Sequence, residues 1–505
     1  MRRLVSNFEA QAQDTDSIKT YELPGVALME QAGLLLFQTL LKLWQPLPSN
    51  RAVCLVGAGN NGGDALVLAR QAFLSKSFQV SVVFLGEPRT AEAQVQARLI
   101  KKLGLPSAVW PSLAAESYLE QAQLWIDGIW GAGMIPPLRP EARDLLSQLS
   151  RWREKSGAQI AAIDLPSGLG DGEDPERPSW PCRWTLAVAN AKQCCYFPQN
   201  RSDAGEIFTI PFRFPAPLVK AENTAELLEM DDLADQGGVV PPDAWKGLRG
   251  SLGVFAGCSE MTGAAVLACR SAQSAGVGLL RGVFDSGIRE RLSGLLPAVI
   301  TQETGKEVNF RKLDAVLVGP GWGRAENRGQ LLQKIFALPL PLVLDADGLR
   351  ILCQNIRAGA PYERANWILT PHPGELRDLF QSLAARTAQP PEGSFLERLR
   401  WLAKTTGAVI LAKGSVTWVV SPTGFSGVWD GGEPGLGTAG SGDCLAGFVG
   451  AFLARGRTSL QAAQAGVILQ GSVGKRLSRE RGWFTAEELA QQASIEAARA
   501  AILKN

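Results

Sequence analysis

The sequence predicts an α/β protein built from parallel sheets and the helices that cover them. Short apolar runs of strand length alternate with helical stretches along the chain, which is the pattern of α/β layers. Several of these runs end in an aspartate, where a parallel strand delivers its last residue to a crevice. With 505 residues, 46% of them apolar, the chain has material for two or three compact units.

The first half of the chain contains four strand-like runs. The first is followed by a glycine-rich turn and a helix-like stretch that continues through Arg70. The last two end in Asp127 and Asp164, so we expect both side chains at the C-terminal edge of one sheet. The four runs lie at 52–56, 79–85, 124–127 and 160–164.

A break in composition separates the two halves near residues 211–250. Prolines and the pair Gly237-Gly238 surround an acidic stretch there, as in interdomain segments. We therefore predict an N-terminal domain over 1–215, a linker region over 216–242 and a C-terminal domain over 243–505. A second series of strand-like runs lies at 252–256, 315–318, 341–345, 367–370 and 408–411.

Charge and residue usage exclude several classes of protein. Lysine plus arginine number 51 against 49 aspartates plus glutamates, so bulk electrostatic binding of nucleic acid or of an anionic membrane is not expected. A single histidine excludes a histidine-rich metal site. The eight cysteines form no CxxC pair, and the sequence shows neither a secretory h-region nor an uncharged apolar run of about 18 residues. We expect a cytoplasmic protein with reduced thiols.

The loop from Gly57 to Asp64 is the first candidate site. Its segment Gly57-Ala58-Gly59-Asn60-Asn61-Gly62 matches GxGxxG, follows a strand and opens a helix, where backbone N–H groups can bind phosphate. A dinucleotide fingerprint also carries an acid about 20 residues further on. The candidate acid, Glu87, lies 30 residues after Gly57, which argues against a plain NAD-dependent dehydrogenase. A tight turn that needs glycine is the alternative explanation of the match.

Polar side chains make this loop more than a turn. Asn60, Asn61 and Asp64 place oxygen atoms beside the positive end of a helix, which suits a hard cation or ribose hydroxyls. If the strands are adjacent, Asn61, Asp127 and Ser167 converge on one cation without histidine or cysteine. Such a ligand set favours an alkali or alkaline-earth ion.

Asp16, the segment Leu28–Gly33, the loop from Gly57 to Asp64, and the motifs around Asp127, Asp164 and Lys192 form one combination. On these motifs, residues 16–212 resemble the NAD(P)H-hydrate epimerase domain. The resemblance implies a Rossmann-like three-layer sandwich that interconverts the epimers of hydrated NADH or NADPH, with potassium held by Asn61, Asp127 and Ser167. Asp164 is the candidate acid–base residue. One departure from the family is Ala65, where a glycine is usual.

The motifs that carry this resemblance start at Asp16 and include Leu28-Met29-Glu30-Gln31-Ala32-Gly33, the loop from Gly57 to Asp64, Asp127 with Gly131-Ala132-Gly133, Asp164-Leu165-Pro166-Ser167-Gly168, and Thr185 with Lys192. The implied substrate contacts are Asn60, Asn61, Gly62, Gly63, Asp64, Gly131, Ala132, Gly133, Met134, Ile135, Pro136, Pro137 and Asp164.

The run Gly437-Thr438-Ala439-Gly440-Ser441-Gly442-Asp443 is the second candidate site. A glycine-rich turn at a helix start forms an anion hole, and an aspartate there can act as a base towards a hydroxyl near a phosphate. The alternative is a hairpin and helix cap with Asp443 as a solvated acid. Four further strand-end segments support a ligand site, and one contains the sole histidine, His372. These segments are 319–323, 345–349, 369–375 and 413–417.

These segments resemble the ribokinase-like domain of the ADP-dependent NAD(P)H-hydrate dehydratase over roughly residues 243–503. The resemblance implies phosphoryl transfer from ADP or ATP to the ring hydroxyl with Asp443 as base, assisted by Mg²⁺, and then elimination of phosphate. The implied nucleotide contacts are Lys413, Gly414, Ser415, Val416, Thr417 and Gly442, and the implied substrate contacts are Ala264, Gly321, His372 and Asp443.

Four positions depart from the pattern of this second family. They are Trp245, Glu433, Ala439 and Gln470. Glu433 matters most, because a carboxylate beside bound phosphates is repelled unless it helps to hold a metal.

We therefore expect a bifunctional repair enzyme that acts as a homo-oligomer on hydrated NADH or NADPH, with ADP as its second substrate. Two alternatives stay open. One is a small-molecule kinase of ribokinase type fused to a nucleotide-binding domain. The other is a family member in which one or both halves have lost catalysis and serve as a ligand-binding module.

Overall fold

Two sheets with helices around them form the part of the chain that the structure describes. A computed structural model describes residues 1–217, 225–304, 309–325, 327–362, 365–387 and 390–502. The N-terminal unit comprises Arg3–Glu222 with Gly393–Phe395, and the C-terminal unit comprises Met1–Arg2, Asn223–Glu392 and Leu396–Asn505. The predicted α/β class is confirmed.

Strands and helices alternate over the first 210 residues. They are β1 (Arg2–Leu4), α1 (Asn7–Lys19), α2 (Gly25–Trp44), β2 (Arg51–Val56), α3 (Asn60–Ser75), β3 (Gln79–Phe84), α4 (Ala91–Leu103), β4 (Ser107–Val109), α5 (Leu113–Gln121), β5 (Leu124–Gly128), α6 (Pro140–Ser156), β6 (Gln159–Ile163), β7 (Trp184–Val188), α7 (Arg201–Ala204) and β8 (Glu206–Ile210).

The sheet of the N-terminal unit is parallel throughout, in the order β4-β3-β2-β5-β6-β7-β8. The chain runs outwards from β2 to β4 on one side and from β5 to β8 on the other. β2 and β5 therefore flank the topological switch point, where open α/β sheets bind their ligands. The loops after β2, β5 and β6 open onto this point.

Alternate side chains of the central strands fill two core layers. Cys54 and Ile126 face the layer that contains α2, α3 and α4, whereas Leu55 and Trp125 face the layer that contains α5 and α6. The strands are buried on both faces, so they read as continuous apolar runs rather than as alternating ones. This is the three-layer sandwich that the resemblance implies.

Helix α2 has, alone among the described helices, the length and apolar content of a membrane span. It carries Glu30, whose carboxylate pairs with Arg70 on α3. Leu36 and Leu40 of the same helix are buried in the core of the N-terminal unit. These contacts make α2 a core helix of this unit.

The second half of the chain continues from residue 225. Its elements are β9 (Ala225–Leu227), α8 (Leu233–Gly237), β10 (Ser251–Phe255), α9 (Thr262–Ser274), β11 (Leu279–Phe284), α10 (Ser286–Leu295), β12 (Ile300–Glu303), β13 (Ala315–Val318), α11 (Asn327–Phe336), β14 (Leu342–Leu344), α12 (Ala346–Arg357), β15 (Trp367–Leu369), α13 (Pro373–Ala384), α14 (Phe395–Thr406), β16 (Val409–Ala412), β17 (Thr417–Val420), β18 (Ser426–Trp429), α15 (Ser441–Ala454), α16 (Ser459–Arg481) and α17 (Ala486–Ile502).

The larger sheet has the strand order β1-β9-β18-β17-β16-β15-β14-β13-β10-β11-β12 in the described residues. β10 and β13 are neighbours from which the chain runs outwards in opposite directions, so a second switch point lies between them. β16, β17 and β18 pair in antiparallel fashion. These two pairings are antiparallel because the connections 413–416 and 421–425 are too short for a parallel crossover.

Residues 225–242, which the sequence predicts as part of the linker region, contain regular structure. β9 pairs in parallel with β18, and Leu228 and Leu233 are buried in the core of the C-terminal unit. The surrounding prolines and acids hide these few apolar residues in the sequence. Residues 218–224 of the predicted linker lie outside the described residues.

Candidate active sites

A cavity of about 860 Å³ lies at the switch point of the N-terminal sheet. The three loops that the sequence singles out contribute to its wall. Asn60, Asn61 and Asp64 come from the loop after β2, residues 131–135 and Pro137 from the loop after β5, and Asp164 from the end of β6. The structure thus brings together residues that are more than 100 positions apart in the sequence.

Three of the predicted substrate contacts lie behind the cavity wall. A Cβ atom on Gly62 would lie 2.2 Å from a backbone oxygen, and one on Gly63 would lie 2.6 Å from the Sδ atom of Met29. These glycines allow α3 to start close to its neighbours. Pro136 packs against Gly170, where a Cβ atom would lie 2.4 Å from its Cδ atom.

Asp127 and Ser167, two of the three predicted cation ligands, contact each other. The Oγ and backbone N–H of Ser167 donate to the Asp127 carboxylate at 2.6 and 2.9 Å, and Nε1 of Trp180 donates at 2.8 Å. Burial raises the pKa of Asp127, and these hydrogen bonds oppose the rise. The hydrogen-bond donors around this buried carboxylate in the described residues are therefore all neutral.

Asn61, the third predicted ligand, lies beside Gly131. A Cβ atom on Gly131 would lie 3.1 Å from its Oδ1 atom. The Nδ2 atom of Asn61 is buried and has no hydrogen-bond partner among the described residues. Because Nδ2 is a hydrogen-bond donor, only the Oδ1 atom of this side chain could ligate a cation.

Asp164 and Lys192 form an ion pair in the cavity wall. The backbone N–H of Val188 donates to the same Asp164 oxygen at 3.2 Å, and Lys192 Nζ also donates to the carbonyl of Asn190 at 3.1 Å. Asp164 has a φ of 69°, in the left-handed region that a residue with a Cβ rarely adopts. Such backbone strain occurs at functional sites. In the sequence, Lys192 is one of the family motif residues and has no predicted role in the site. In the structure it lines the cavity.

Two further acids, Asp14 and Asp64, line the same cavity. Burial raises the pKa of Asp64 well above its usual range, and the carboxylates of Asp164 and Asp14 raise it further, against the opposing charge of Lys192. Burial, Glu92 and Asp164 raise the pKa of Asp14. Asp64, whose pKa is raised, and the Asp164 carboxylate, which is paired with lysine, are a candidate proton donor and a candidate proton acceptor. No motif in the sequence points to Asp14.

Ala65, the departure in the first loop, lies within helix α3 and has no positive φ. Its methyl group is close to β5, since a Cβ atom on Gly128 would lie 2.5 Å from it. The departure therefore imposes no left-handed backbone strain on the loop. Thr185, another residue of the family motifs, donates to the carbonyl of Ala204 at 2.6 Å in the core and does not line the cavity.

Lys413 lies at the centre of the cluster in the C-terminal unit. Its Nζ donates to Oδ1 of Asp345 at 2.6 Å, and Oγ1 of Thr370 donates to the same oxygen at 2.8 Å. A Cβ atom on Gly442 would lie 3.6 Å from Nζ. Burial lowers the pKa of Lys413, but the nearby carboxylates outweigh it and the pKa is raised. The ends of β14, β15 and β16 and the start of α15 thus meet at one point.

Asp443 lies in the first turn of α15, close enough to Asp345 and Lys413 for their charges to affect its pKa. Burial raises its pKa to about 6, the Asp345 carboxylate adds to the rise, and Lys413 opposes it. Gly440, at the N-cap, has a φ of 90°, and a Cβ atom there would lie 2.4 Å from Leu267. Glycine at this position permits the turn that presents Asp443. A carboxylate with a pKa near neutrality suits a general base.

The remaining predicted substrate contacts lie in a loop or at the start of a helix of the same unit. A Cβ atom on Gly321 would lie 2.8 Å from the Cβ of Ala264, so these two residues are adjacent. His372 caps α13: its Nδ1 accepts the N–H of Gly374 at 3.0 Å, and its backbone N–H donates to Glu375 at 2.9 Å. The capping role explains its position, and its exposed ring leaves it accessible to a ligand.

The other predicted nucleotide contacts follow Lys413 along the chain. Gly414 and Ser415 form the turn between β16 and β17, the side chain of Val416 is buried, and Thr417 begins β17. Of the predicted nucleotide contacts, the structure therefore brings Lys413 and Gly442 to the Asp345–Asp443 cluster.

The four departures in this unit have different surroundings. Nε2 of Gln470 donates to the carbonyl of Ser441 at 2.7 Å, so this residue supports the glycine-rich turn. Trp245 is largely exposed, Ala439 is exposed, and Glu433 precedes a short 3-10 turn.

We expect Lys413→Met to lower the thermal stability of the C-terminal unit. The substitution leaves the Asp345 carboxylate, 2% exposed, without its basic partner. Removing one partner of a buried ion pair costs about 3–5 kcal/mol, and the smaller value applies because Lys413 is partly exposed. The apparent Tm measures the effect, and the exposed Lys404→Met is the matched control. Equal Tm values for the two variants would contradict the prediction.

Two family models match the chain. One, described as the YjeF-related protein N-terminus, matches residues 25–194. The other, described as NAD(P)H-hydrate dehydratase, matches residues 252–495. The first range contains Asp164 and Lys192, and the second contains Lys413 and Asp443.

Curated relatives match the chain over most of its length. The bifunctional NAD(P)H-hydrate repair enzyme of Salinibacter ruber is 31% identical and covers 92% of this chain and 90% of its own. The enzyme of the same name from Gloeobacter violaceus is 34% identical and covers 86% of this chain and 85% of its own.

Solved structures that match part of the chain include a ribokinase-like superfamily protein from Enterococcus faecalis, with 22% identity, a TM-score of 0.49, and coverage of 56% of this chain and 99% of its own. The ADP/ATP-dependent NAD(P)H-hydrate dehydratase of Bacillus subtilis, co-crystallised with ATP and Mg²⁺, has 22% identity and a TM-score of 0.45, and covers 54% of this chain and 99% of its own.

Proposed function

The chain belongs to the family of bifunctional NAD(P)H-hydrate repair enzymes, and from this premise we propose that its two units perform the two steps of that repair. The N-terminal unit interconverts the R and S epimers of hydrated NADH or NADPH. The C-terminal unit dehydrates the S epimer, with ADP or ATP as phosphoryl donor. The observation that carries the proposal is that each unit holds an aspartate near a lysine at the carboxyl ends of its strands.

In the N-terminal unit, Asp164 acts on the hydrated ring carbon. Epimerisation requires the hydroxyl to leave as water and water to return on the other face, or the ring to open and reclose. Either route needs one group that gives a proton and one that takes it. The Asp164 carboxylate, oriented by Lys192, takes the proton, and Asp64, whose pKa is raised by burial, gives one. The two loops at the switch point bind the nucleotide.

Asn61, Asp127 and Ser167 would hold a potassium ion beside this site. The Oδ1 atom of Asn61 and the Asp127 carboxylate, whose hydrogen-bond donors in the described residues are neutral, are oxygen ligands that fit a monovalent cation. A bound potassium ion would offset the cost of burying the charge of Asp127 and fix the loop from Gly57 to Asp64.

In the C-terminal unit, Asp443 accepts the proton of the ring hydroxyl as its oxygen attacks the terminal phosphorus of ADP. The bond to AMP breaks and AMP leaves. Phosphate then departs from the ring carbon with the bonding electron pair, and loss of a proton from the neighbouring carbon restores the double bond. Lys413 and the backbone N–H groups at the start of α15 meet the charge of the transferring group.

Magnesium would enter with the nucleotide. Mg²⁺ is held through phosphate oxygens and one or two carboxylates, and this cluster offers Asp345 and Glu375 besides the base Asp443. When bound, the ion would neutralise charge on the phosphates.

The proposed function is tested by incubating the purified chain with the S epimer of hydrated NADH, ADP, Mg²⁺ and K⁺. We expect the dihydropyridine absorbance to return, with one phosphate released for each NADH restored. A stable phosphorylated product without recovery of absorbance would identify a small-molecule kinase instead. If neither restored NADH nor a phosphorylated product were formed, the chain would be a ligand-binding module instead.

The dehydration rate should fall in mild acid. Asp443 must be deprotonated to act as base, and its pKa is about 6. We therefore expect kcat/KM for dehydration to be level above this pH and to drop about tenfold per pH unit below it. A pH–rate profile under saturating ADP and Mg²⁺ measures the inflection.

The variant Asp345→Asn separates this inflection from the titration of ADP itself. Removing the Asp345 carboxylate eliminates a charge that raises the pKa of Asp443 and releases Lys413, which lowers it. The inflection should therefore move to lower pH in the variant. An inflection at the same pH in both proteins would assign it to the nucleotide and contradict the role of Asp443.

We propose a cytoplasmic enzyme. All eight cysteines are free in the structure, as expected for a reducing compartment, and α2 packs into the core of its unit. The expected homo-oligomer stays a prediction.

A further inference from the structure

A second pocket, of about 360 Å³, lies at the switch point of the larger sheet. The loops after β10, β11 and β13 form its wall, and the residues of the Asp443 cluster do not line it. Its lining residues include Cys258, Ser259, Asp285, Gly287, Trp322 and Arg328. Ligands of open α/β sheets bind at such a position.

Arg328 in this wall is 2% exposed, and one of its three guanidinium nitrogen atoms has no hydrogen-bond partner among the described residues. Its Nε donates to the carbonyl of Trp322 at 3.1 Å, and its Nη2 donates to Asp285 at 2.7 Å. Its Nη1 is buried and has no hydrogen-bond partner in the part of the chain that the structure describes, and the same is true of Nε1 of Trp322. Because unsatisfied buried donors are costly, these two indicate an acceptor that the protein itself does not provide.

The start of helix α10 adds a third attraction for an anion. Asp285 occupies its N-cap without a side-chain capping bond, and its carboxylate instead pairs with Arg328. Gly287 in the first turn of this helix lines the pocket, so the positive end of the helix dipole lies there. Arg324, exposed at the edge, contributes a second positive charge, so the two arginines outweigh the one carboxylate.

The pocket adjoins two of the predicted substrate contacts, Gly321 and Ala264. Gly321, a predicted substrate contact, directly precedes Trp322, and a Cβ atom on it would lie 2.9 Å from the carbonyl oxygen of Met261. Cys258 and Ser259 of the same loop line the pocket. A molecule bound along Ala264 and Gly321 can therefore extend into the pocket.

We propose that this pocket binds a phosphate group of the hydrated dinucleotide, an inference that rests on the proposed function of the C-terminal unit. Arginine is suited to this ligand, because its donors match the geometry of phosphate oxygens. The dinucleotide offers two such groups: the diphosphate, present in both substrates, and the 2′-phosphate, present in hydrated NADPH.

The test compares Arg328→Gln with the unchanged chain, using the S epimers of hydrated NADH and hydrated NADPH. We expect the variant to raise KM about 10- to 100-fold, as for the loss of a charged hydrogen bond, with kcat changed less than about twofold. A rise for both substrates assigns the diphosphate, and a rise for hydrated NADPH alone assigns the 2′-phosphate. An unchanged KM for both overturns the proposal.

Two further variants keep this test decisive. If Arg328→Gln lowers the apparent Tm, Arg324→Gln replaces it, since an exposed arginine can be changed without disturbing the core. Its KM should rise about threefold or more and depend on salt, and an unchanged KM would again overturn the proposal. Arg291→Gln, an exposed position on α10 outside the pocket, should leave KM unchanged.

Equilibrium dialysis of hydrated NADPH without ADP separates this inference from the proposed function. Weaker binding to Arg328→Gln or Arg324→Gln supports the phosphate pocket even if no dehydration occurs. Equal binding to the unchanged chain and both variants refutes the pocket even if dehydration is observed.

Discussion

Replacing Asp443 with asparagine is expected to abolish dehydration and to leave epimerisation intact. Asparagine keeps the size of the side chain but cannot accept the proton of the ring hydroxyl. Loss of a general base lowers kcat by about 10²- to 10⁴-fold. The amide also removes one of the carboxylates near Lys413, so nucleotide binding should be retained or tightened. Phosphate release and recovery of the dihydropyridine absorbance measure the loss.

Glu487→Gln is the matched control for this variant. Glu487 is an exposed acid in the first turn of α17, so its replacement also removes a negative charge from a helix start without touching the Lys413 cluster. Its dehydration rate should equal that of the unchanged chain. If Asp443→Asn retained full dehydration, the assignment of the base would be wrong.

Replacing Asp164 with asparagine is expected to have the opposite effect. The R epimer should no longer convert to the S epimer at an enzymatic rate, with a loss of about 10²- to 10⁴-fold, whereas dehydration of the S epimer should continue. Asparagine tolerates the left-handed backbone at this position, where φ is 69°, better than alanine does. The variant therefore tests the carboxylate rather than the loop. Chromatographic separation of the epimers measures the rate.

Asp144→Asn serves as the control for Asp164. Asp144 is exposed on α6, away from the cavity lining, and its replacement should leave both rates unchanged. Retention of epimerisation by Asp164→Asn would move the catalytic role to another acid of the cavity, and Asp64→Asn would then be examined in the same assay.

The central strands and the loops that follow them could be predicted from the sequence for one physical reason. A strand buried on both faces reads as a continuous apolar run, and a binding loop at its end reads as glycine with polar residues. All the predicted runs form strands, from β2 to β16, and the loops after β2, β5 and β6 meet in one cavity. Short local sequence patterns were therefore sufficient to predict these strands and loops.

Edge strands and long-range contacts could not be predicted in the same way. β7 and β8 owe their extended form to pairing with their neighbours. β17 runs antiparallel to β16 because of the short turn after Lys413, and β17 and β18 form a hairpin. β9 lies in a segment whose prolines and acids indicate a linker. In each case the partner strand is distant in sequence or the local composition is misleading.

The candidate sites follow the same division. Asp164 and Asp443 stand in glycine-rich motifs at strand or helix ends, so the sequence indicates them. Asp14 reaches its cavity because α1 lies beside it, and Arg328 reaches its pocket from a segment without any motif. Their placement depends on tertiary packing, which residue patterns do not contain.

The most direct test of the two-step account starts from an equilibrated mixture of both epimers of hydrated NADH. With ADP, Mg²⁺ and K⁺, the unchanged chain should restore the dihydropyridine absorbance completely, in a single continuous reaction. Asp164→Asn should stop at the fraction that is initially the S epimer, and Asp443→Asn should restore none. Recovery that stops at the S fraction in the unchanged chain, or no recovery at all, would contradict the claim that one chain performs both steps.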